Sequence, residues 1–251
     1  VIGTMQLLAA CQASPLVRSI VVKSATSVYG ASPRDPSAFT EDMSAKVPPR
    51  SGYGKDTIEV ENYVRGFARR RPNVATTMLR FANFIGPSVR TPFTEYFTLP
   101  VVPTVLGYDA RLQFIHEDDG LAAICVAALG RVPGTFNIAG DGVILLSQAV
   151  HRCGRVPVPT PAPAAGVLGG VFRRFRLADF SPEQVKLLTY GRVVDTSRAR
   201  EELGFSPSMT TQQAFADFVA ARCADGVLDP ARVAAAEQSV VRTVTRGRAH
   251  G

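Results

Sequence analysis

The feature that most constrains this chain is a repeated switch between short β-branched runs and longer amphipathic helices. Ser19-Ile-Val-Val-Lys23 suits a buried strand. A helix follows from about Gly52 to Arg71, with Tyr53, Thr57, Val60, Val64 and Phe67 on one face, and Pro72-Asn73 ends it. Val74 to Arg80 is strand-like again, and the alternation continues with Leu112 to His116 as strand, Asp118 to Leu129 as helix and Gly134 to Ala139 as strand. Strands separated by helices of this length predict an α/β fold with a mainly parallel sheet, because a parallel pair needs a long crossover. Residues 2 to 13 also read as helix, while Ala31 to Arg50 is a Pro- and Ser-rich excursion.

Helix-end chemistry marks the later part of the chain. Ser181-Pro-Glu-Gln184 and Thr210-Thr-Gln-Gln213 both fit a capping box, in which a hydroxyl and a Gln satisfy each other's orphan backbone N–H groups. Gly204 closes a helix that begins near Thr196, and Asp229-Pro230 opens a last amphipathic helix carrying Val233, Val240 and Val244. Pro157 to Phe172, rich in Pro, Ala and Gly, reads as a linker or as a mobile cover over a site.

Composition excludes several classes. The 251 residues are 46% apolar and 20% charged, an ordinary globular balance with room for one large core or two modest ones. The longest apolar stretches, Leu99 to Leu106 and Pro161 to Phe172, are broken by Pro or Gly and fall short of the roughly 20 residues that span a bilayer. A membrane-spanning role is therefore not expected. Cys11, Cys125, Cys153 and Cys223 lie far apart, without zinc-site spacing, and read as free thiols of a reducing cytoplasm, Cys125 as a core residue. The net charge of +7 gathers at Arg65 with Arg69–Arg71, at Arg173, Arg174 and Arg176, and at Arg242, Arg246 and Arg248. No interleaved aromatics and no helix-turn-helix or zinc-finger spacing accompany it, so solvated helix ends and a basic tail are expected rather than a nucleic-acid surface. A phosphate-bearing small ligand is compatible with this charge.

Seven stretches, in order, resemble the extended short-chain dehydrogenase/reductase family, in particular its nucleotide-sugar epimerases and dehydratases of the UDP-glucose 4-epimerase kind. They are Gly3-Thr-Met-Gln-Leu-Leu8, Ile20-Val-Val-Lys-Ser-Ala-Thr-Ser-Val-Tyr-Gly30, Ser51-Gly-Tyr-Gly-Lys-Asp-Thr-Ile-Glu-Val-Glu61 and Leu79-Arg-Phe-Ala-Asn-Phe-Ile-Gly-Pro87. Gln113-Phe-Ile-His-Glu-Asp-Asp119, Phe136-Asn-Ile-Ala-Gly140 and Asp195-Thr-Ser-Arg-Ala-Arg-Glu-Glu-Leu-Gly204 complete the set, so the likeness covers roughly residues 1 to 222. It implies the C-terminal part of a Rossmann-like doubly wound parallel sheet plus a smaller α/β substrate-binding domain. Residues 1–90 would be the remnant of the NAD(P)-binding domain, 91–224 the substrate-binding part with 112–130 returning to the first domain, and 225–251 a helical basic tail. The family's Gly-x-x-Gly-x-x-Gly turn, which sets backbone N–H groups against a pyrophosphate, does not occur here, and an N-terminally shortened member is expected, with that turn about a hundred residues upstream.

The resemblance also assigns roles. Tyr53 takes the place of the tyrosine that exchanges the hydroxyl proton, while NAD or NADP exchanges hydride with the sugar. Ser24, Tyr53 and Phe81 are the implied cofactor contacts; Asn83 and Arg111 are the implied contacts to a nucleotide-sugar substrate. Thr57 stands where the family has the Lys that lowers the phenol's pKa, and Ala25 where it has a hydroxyl. Lys55 does not substitute, since two helical residues rotate about 200°. Lys23 shares a strand face with Ala25 and offers a positive charge near the site, whereas Ser24 faces the other way. Arg111 lies one residue before the family's Arg, whose place is Leu112. Two readings stay open for Tyr53, proton transfer or plain core packing, and for Asn83, phosphate binding or loop capping. His116-Glu-Asp-Asp119 suggests a helix cap, by Asp118 or Asp119, rather than a metal site. A homodimer through residues 2–13 and 53–71 is implied, and a catalytically silent nucleotide-binding or scaffold relative is the alternative to an enzyme.

Overall fold

A computed structural model describes residues 1–50, 52–160 and 182–223. Helix α1 (Ile2–Ala13) leads into β1 (Ser19–Ala25), a short 3-10 turn (Thr26–Tyr29), the long α2 (Gly52–Arg70) and β2 (Ala75–Phe81). β1 and β2 pair in parallel with Val21 beside Thr77, and β2 pairs in parallel with β7 (Gly134–Ile138), giving the order β1-β2-β7. The strand period of two sorts the side chains of β1. Ile20 and Val22 pack with Val60, Val64 and Phe67 of α2, whereas Val21 packs with Ala123 and Ala127 of α4 (Glu117–Gly130). Helices thus cover both faces of a parallel sheet, as the alternation predicts. α1 is fastened to the end of α2 by Arg71, whose guanidinium donates to the carbonyls of Cys11, Gln12 and Ser14, so part of the first arginine cluster caps a neighbouring helix.

A second core lies beyond this sheet. It is built from α3 (Pro92–Thr98), β4 (Val101–Val105), α5 (Leu146–Arg152), α6 (Pro182–Tyr190) and α7 (Thr211–Arg222). Phe97 is fully buried, meeting Phe93, Phe114, Phe215 and Phe218 edge-on at 5.2–6.4 Å between ring centres, contacts worth about 0.5–1.5 kcal/mol each beyond their buried area. The Thr210 capping box forms as predicted, with Thr210 Oγ1 accepting from Gln213 N and Gln213 Oε1 from Thr210 N.

Several expectations need correction. Leu112 to His116 is not one strand: β5 (Arg111–Leu112) runs antiparallel to β8 (Ile144–Leu145), and β6 (Phe114–His116) runs parallel to β3 (Asn83–Ile85). The break falls at Gln113, whose side chain donates to Gly140 O and accepts from Val194 N. Neither Asp118 nor Asp119 caps α4. His116 is the N-cap, its ring accepting from Asp118 N, while Asp119 reaches across to Ser208 and Met209. Cys125 is exposed, not core, because α4 is apolar all round; Leu121, Cys125 and Leu129 form its outer stripe, and Ala123 and Ala127 face the sheet. Within the stretch read as linker or cover, residues up to Thr160 belong to β9 (Val156–Thr160), which pairs with β4. The rest of that stretch, Ser181 and the Asp229 helix lie outside the described residues.

Candidate functional site

The site is built where β1 and β2 end. Ala25 closes β1 and is followed by the turn carrying Thr26. The start of α2 is pressed against this turn, since any Cβ on Gly54 would meet Pro49 at 2.8 Å and Ser27 O at 3.4 Å. Tyr53 sits one residue before that contact and is 61% exposed, so the core reading of this side chain does not hold. The phenol faces solvent among the described residues. Thr57 is buried and donates its hydroxyl back to Tyr53 O at 2.7 Å, the ordinary self-bonding of a helical Thr.

Ser24 faces α2, as the strand period requires. Its hydroxyl donates to Glu61 Oε1 at 2.6 Å. Glu61 also holds Arg80 through both carboxylate oxygens at 2.9 and 2.8 Å, and Arg65 at 2.6 Å. Arg80 continues to the Tyr29 hydroxyl at 2.8 Å, which donates to Asn137 Oδ1 at 2.8 Å. Burial raises the Tyr29 pKa above its ordinary value, and although burial works against Arg80, the Glu61 hydrogen bonds hold its pKa above the usual value for arginine. This network was not anticipated from the sequence, although Glu61 lies four residues beyond Thr57 on the face that starts at Tyr53. Lys23 lies outside it, its ammonium 5.4 Å from the centre of the Phe84 ring.

Phe81 ends β2 with a fully enclosed ring, 5.0 Å from that of Phe84. Asn83 lines a small cavity of about 10 Å³ together with Thr26, Gln113 and Arg192. Arg111 lines a larger neighbouring cavity of about 370 Å³, shared with Asp35, Tyr108, Asp109, Tyr190 and, again, Arg192. Its Nη2 donates to Ser37 O at 2.6 Å. The structure therefore groups Asn83 and Arg111 around Arg192 and leaves Tyr53 and Ser24 on the α2 side.

Arg192 is the residue that the sequence reading missed. The available signal was Gly191, which follows α6 with φ at +75° and whose absent Cβ would lie 2.4 Å from Arg111 O. Arg192 N donates to that same oxygen at 3.0 Å, so the two arginines are held on one wall by backbone contact. Gly191→Ala is expected to lose about 2–3 kcal/mol through left-handed strain and overpacking, read as a lower urea midpoint with an unchanged m-value. A wild-type midpoint would remove this account of the wall.

A parallel sheet clad by helices on both faces, with a cleft near its strand ends, places the protein in the doubly wound class of α/β folds. Residues 1–139 match the family model described as the NAD dependent epimerase/dehydratase family, and the chain belongs to that family. An uncharacterized protein of Mycobacterium tuberculosis is 47% identical over 246 residues, covering 98% of this chain; the chain spans 65% of the length of that relative. In fold it is similar to the dTDP-glucose 4,6-dehydratase of Bacillus anthracis in complex with NAD, with a TM-score of 0.66 at 18% identity, covering 88% of this chain and 66% of that one. The UDP-glucuronic acid 4-epimerase of Bacillus cereus in complex with NAD gives 0.62 at 18% identity, again over 88% and 66%. Likeness at this identity concerns the fold alone.

Proposed function

We propose that this protein binds a nucleotide sugar beside a nicotinamide dinucleotide and acts on it as an epimerase/dehydratase-like enzyme with a reduced proton-transfer set. The observation that carries this reading is the placement of Asn83 and Arg111 on two cavities that share Arg192, the smaller lined by Thr26 and Ala82 just beyond the ends of β1 and β2. A guanidinium at an open cavity mouth matches a diphosphate, and an amide further in suits a sugar hydroxyl or phosphate oxygen. Tyr53, exposed at the start of α2, would exchange the substrate's hydroxyl proton. NAD or NADP, when bound, supplies hydride exchange. Of the three implied cofactor contacts, Tyr53 is exposed and would serve its nicotinamide end, whereas the Phe81 ring is enclosed and the buried Ser24 hydroxyl is taken by Glu61; a Gly-rich pyrophosphate turn is not formed by the described residues. We place substrate binding in residues 91–224 and dimer formation on α1 and α2, where Ile2 and Leu7 are 73% and 61% exposed.

A second reading is favoured by Thr57, whose hydroxyl is bound to its own helix where a lysine would serve the phenol. On that reading the protein binds the same ligands as a silent regulator or scaffold. Calorimetry with NAD and UDP-glucose, followed by a UDP-galactose turnover assay, separates the two on the natural full-length protein. Binding with turnover supports the enzyme, and binding without turnover supports the silent form. A full-length, folded protein that takes up neither ligand would sink both readings.

A further inference from the structure

The parallel order β1-β2-β7 brings three chain entries to one edge of the sheet, opposite the strand ends near the cavities. Residues 14–18 lead into β1, 71–74 into β2 and 131–133 into β7, and the last turns of α2 and α4 lie on the same edge. The two most exposed large apolar side chains among the described residues, Leu16 and Leu129, both stand here at 84%. One precedes β1 and the other β7, strands that lie two spacings apart, or about 10 Å. A single exposed leucine is ordinary, but two on one edge call for a physical reason.

The charge of this edge has one sign. Arg18, Arg69, Arg70 and Arg131 are exposed on it, and residues 1–34, 62–94 and 120–140 contain no Asp or Glu. Among the described residues, Arg18, Arg69 and Arg131 make no ion pair and no side-chain hydrogen bond, and Arg70 reaches only Gln12 Oε1 at 3.1 Å. The short helix Ser197–Glu201 packs on β7 and brings the acids Glu201 and Glu202, of which Glu202 is held by Arg198 at 3.0 Å. Arg131 is also the one non-glycine residue of the described chain with a positive φ, +52°, at the end of α4. Glycine is the usual residue in that conformation, so the fold keeps a long cation where backbone geometry favours no side chain at all.

Apolar anchors among uncompensated arginines match a lipid surface. Leucines partition toward the acyl chains while guanidinium groups pair with headgroup phosphates, and neither contact needs a shaped pocket. A polyanion would use the arginines and gain nothing from the leucines. A second copy of this edge would set arginine against arginine. We propose that the strand-entry edge docks on an anionic lipid bilayer, with Leu16 and Leu129 inserted among the headgroups and Arg18, Arg69, Arg70 and Arg131 on lipid phosphates. No helix among the described residues is long and apolar enough to cross a membrane, so this attachment is peripheral and sensitive to salt. The small cavity beyond the opposite ends of β1 and β2 then faces away from the bilayer.

The test is sedimentation of the natural full-length protein with vesicles of phosphatidylcholine alone or mixed with phosphatidylglycerol, in low and in high salt. Wild type is expected to bind the mixed vesicles in low salt, to leave them in high salt and to ignore the neutral ones. Arg69→Gln with Arg70→Gln should weaken binding about 25-fold, from about 5-fold per arginine beside a charged bilayer. Leu16→Ser with Leu129→Ser should weaken it by about 10-fold or more. Arg131→Gly removes charge and backbone strain together, so vesicle affinity should fall about 5-fold while the urea midpoint rises, a pairing that a merely structural arginine does not give. All these side chains are exposed, and an undiminished urea midpoint reports that each variant is folded. Binding to neither vesicle, or equal binding to both, overturns the proposal. So does a loss confined to the arginine variants, which would mark a polyanion such as a nucleic acid, or one confined to the leucine variant, which would mark an apolar protein contact.

Discussion

Glu61→Ala is expected to destabilise the protein by about 3–5 kcal/mol, the cost of breaking a buried ion pair from one side. Glu61 and Arg80 are both buried, and the carboxylate is the shared acceptor for Ser24, Arg65 and Arg80. Its removal leaves the Arg80 guanidinium without an anion, with only the Tyr29 hydroxyl and Glu41 O still accepting from it, and the Ser24 hydroxyl without its acceptor. Since a domain is stable by only about 5–15 kcal/mol, this single change takes a third or more of the total. Urea unfolding followed by circular dichroism measures it; a loss below about 1 kcal/mol would show that the network relaxes around the gap or admits water. Glu61→Gln keeps the shape and one acceptor and should fall between.

A double substitution, Ala25→Ser with Thr57→Lys, is expected to raise turnover of UDP-galactose by about 10²–10⁴-fold, the usual contribution of a positioned acid–base set. Thr57 lies one helical turn after Tyr53 on the same face, so an ammonium there approaches the phenol and favours its ionised form. Position 25 ends β1 on the face opposite Ser24, and a serine there would supply the hydroxyl that the proposed enzyme lacks. The present Thr57 hydroxyl is bonded only within its helix, so its loss removes no tertiary hydrogen bond. The readout is coupled conversion to UDP-glucose by the full-length variant. A folded, NAD-loaded double mutant with unchanged turnover would contradict the view that Tyr53 is an under-assisted proton-transfer residue.

The fold was legible where local pattern and global architecture agree. β-branched runs at Ser19–Lys23 and Val74–Arg80, separated by a long amphipathic helix, leave little choice but a parallel pair with a crossover. Legibility failed where the pattern carried no period. α4 is apolar on every side, so nothing in Ala122-Ala-Ile-Cys-Val-Ala-Ala128 says that Cys125 turns outward. It failed also in short elements fixed by distant partners: β5 and β8 are two residues each, and α3 and β4 gain their definition from the aromatic cluster around Phe97. The site divides similarly. Tyr53, Asn83 and Arg111 stand out as candidates because ordered motifs mark them, whereas Arg192 stands out only through its contacts with Gly30, Thr26 and Arg111, none of which is near it in sequence.

The excursion between Ala31 and Arg50 has no helix of its own, yet Phe39 is fully buried, stacked on Tyr29 at 4.6 Å and joined to Val193 and Asp195 by backbone hydrogen bonds. Asn137, on the last strand of the sheet, holds the same loop by donating its side-chain amide to Phe39 O and its backbone N–H to Glu41 Oε1. Because this loop supplies one wall of the larger cavity, its conformational entropy is lost when the chain folds and not when a ligand arrives. The wall that this loop shares with Arg111 and Arg192 is thus already in shape before anything enters the cavity.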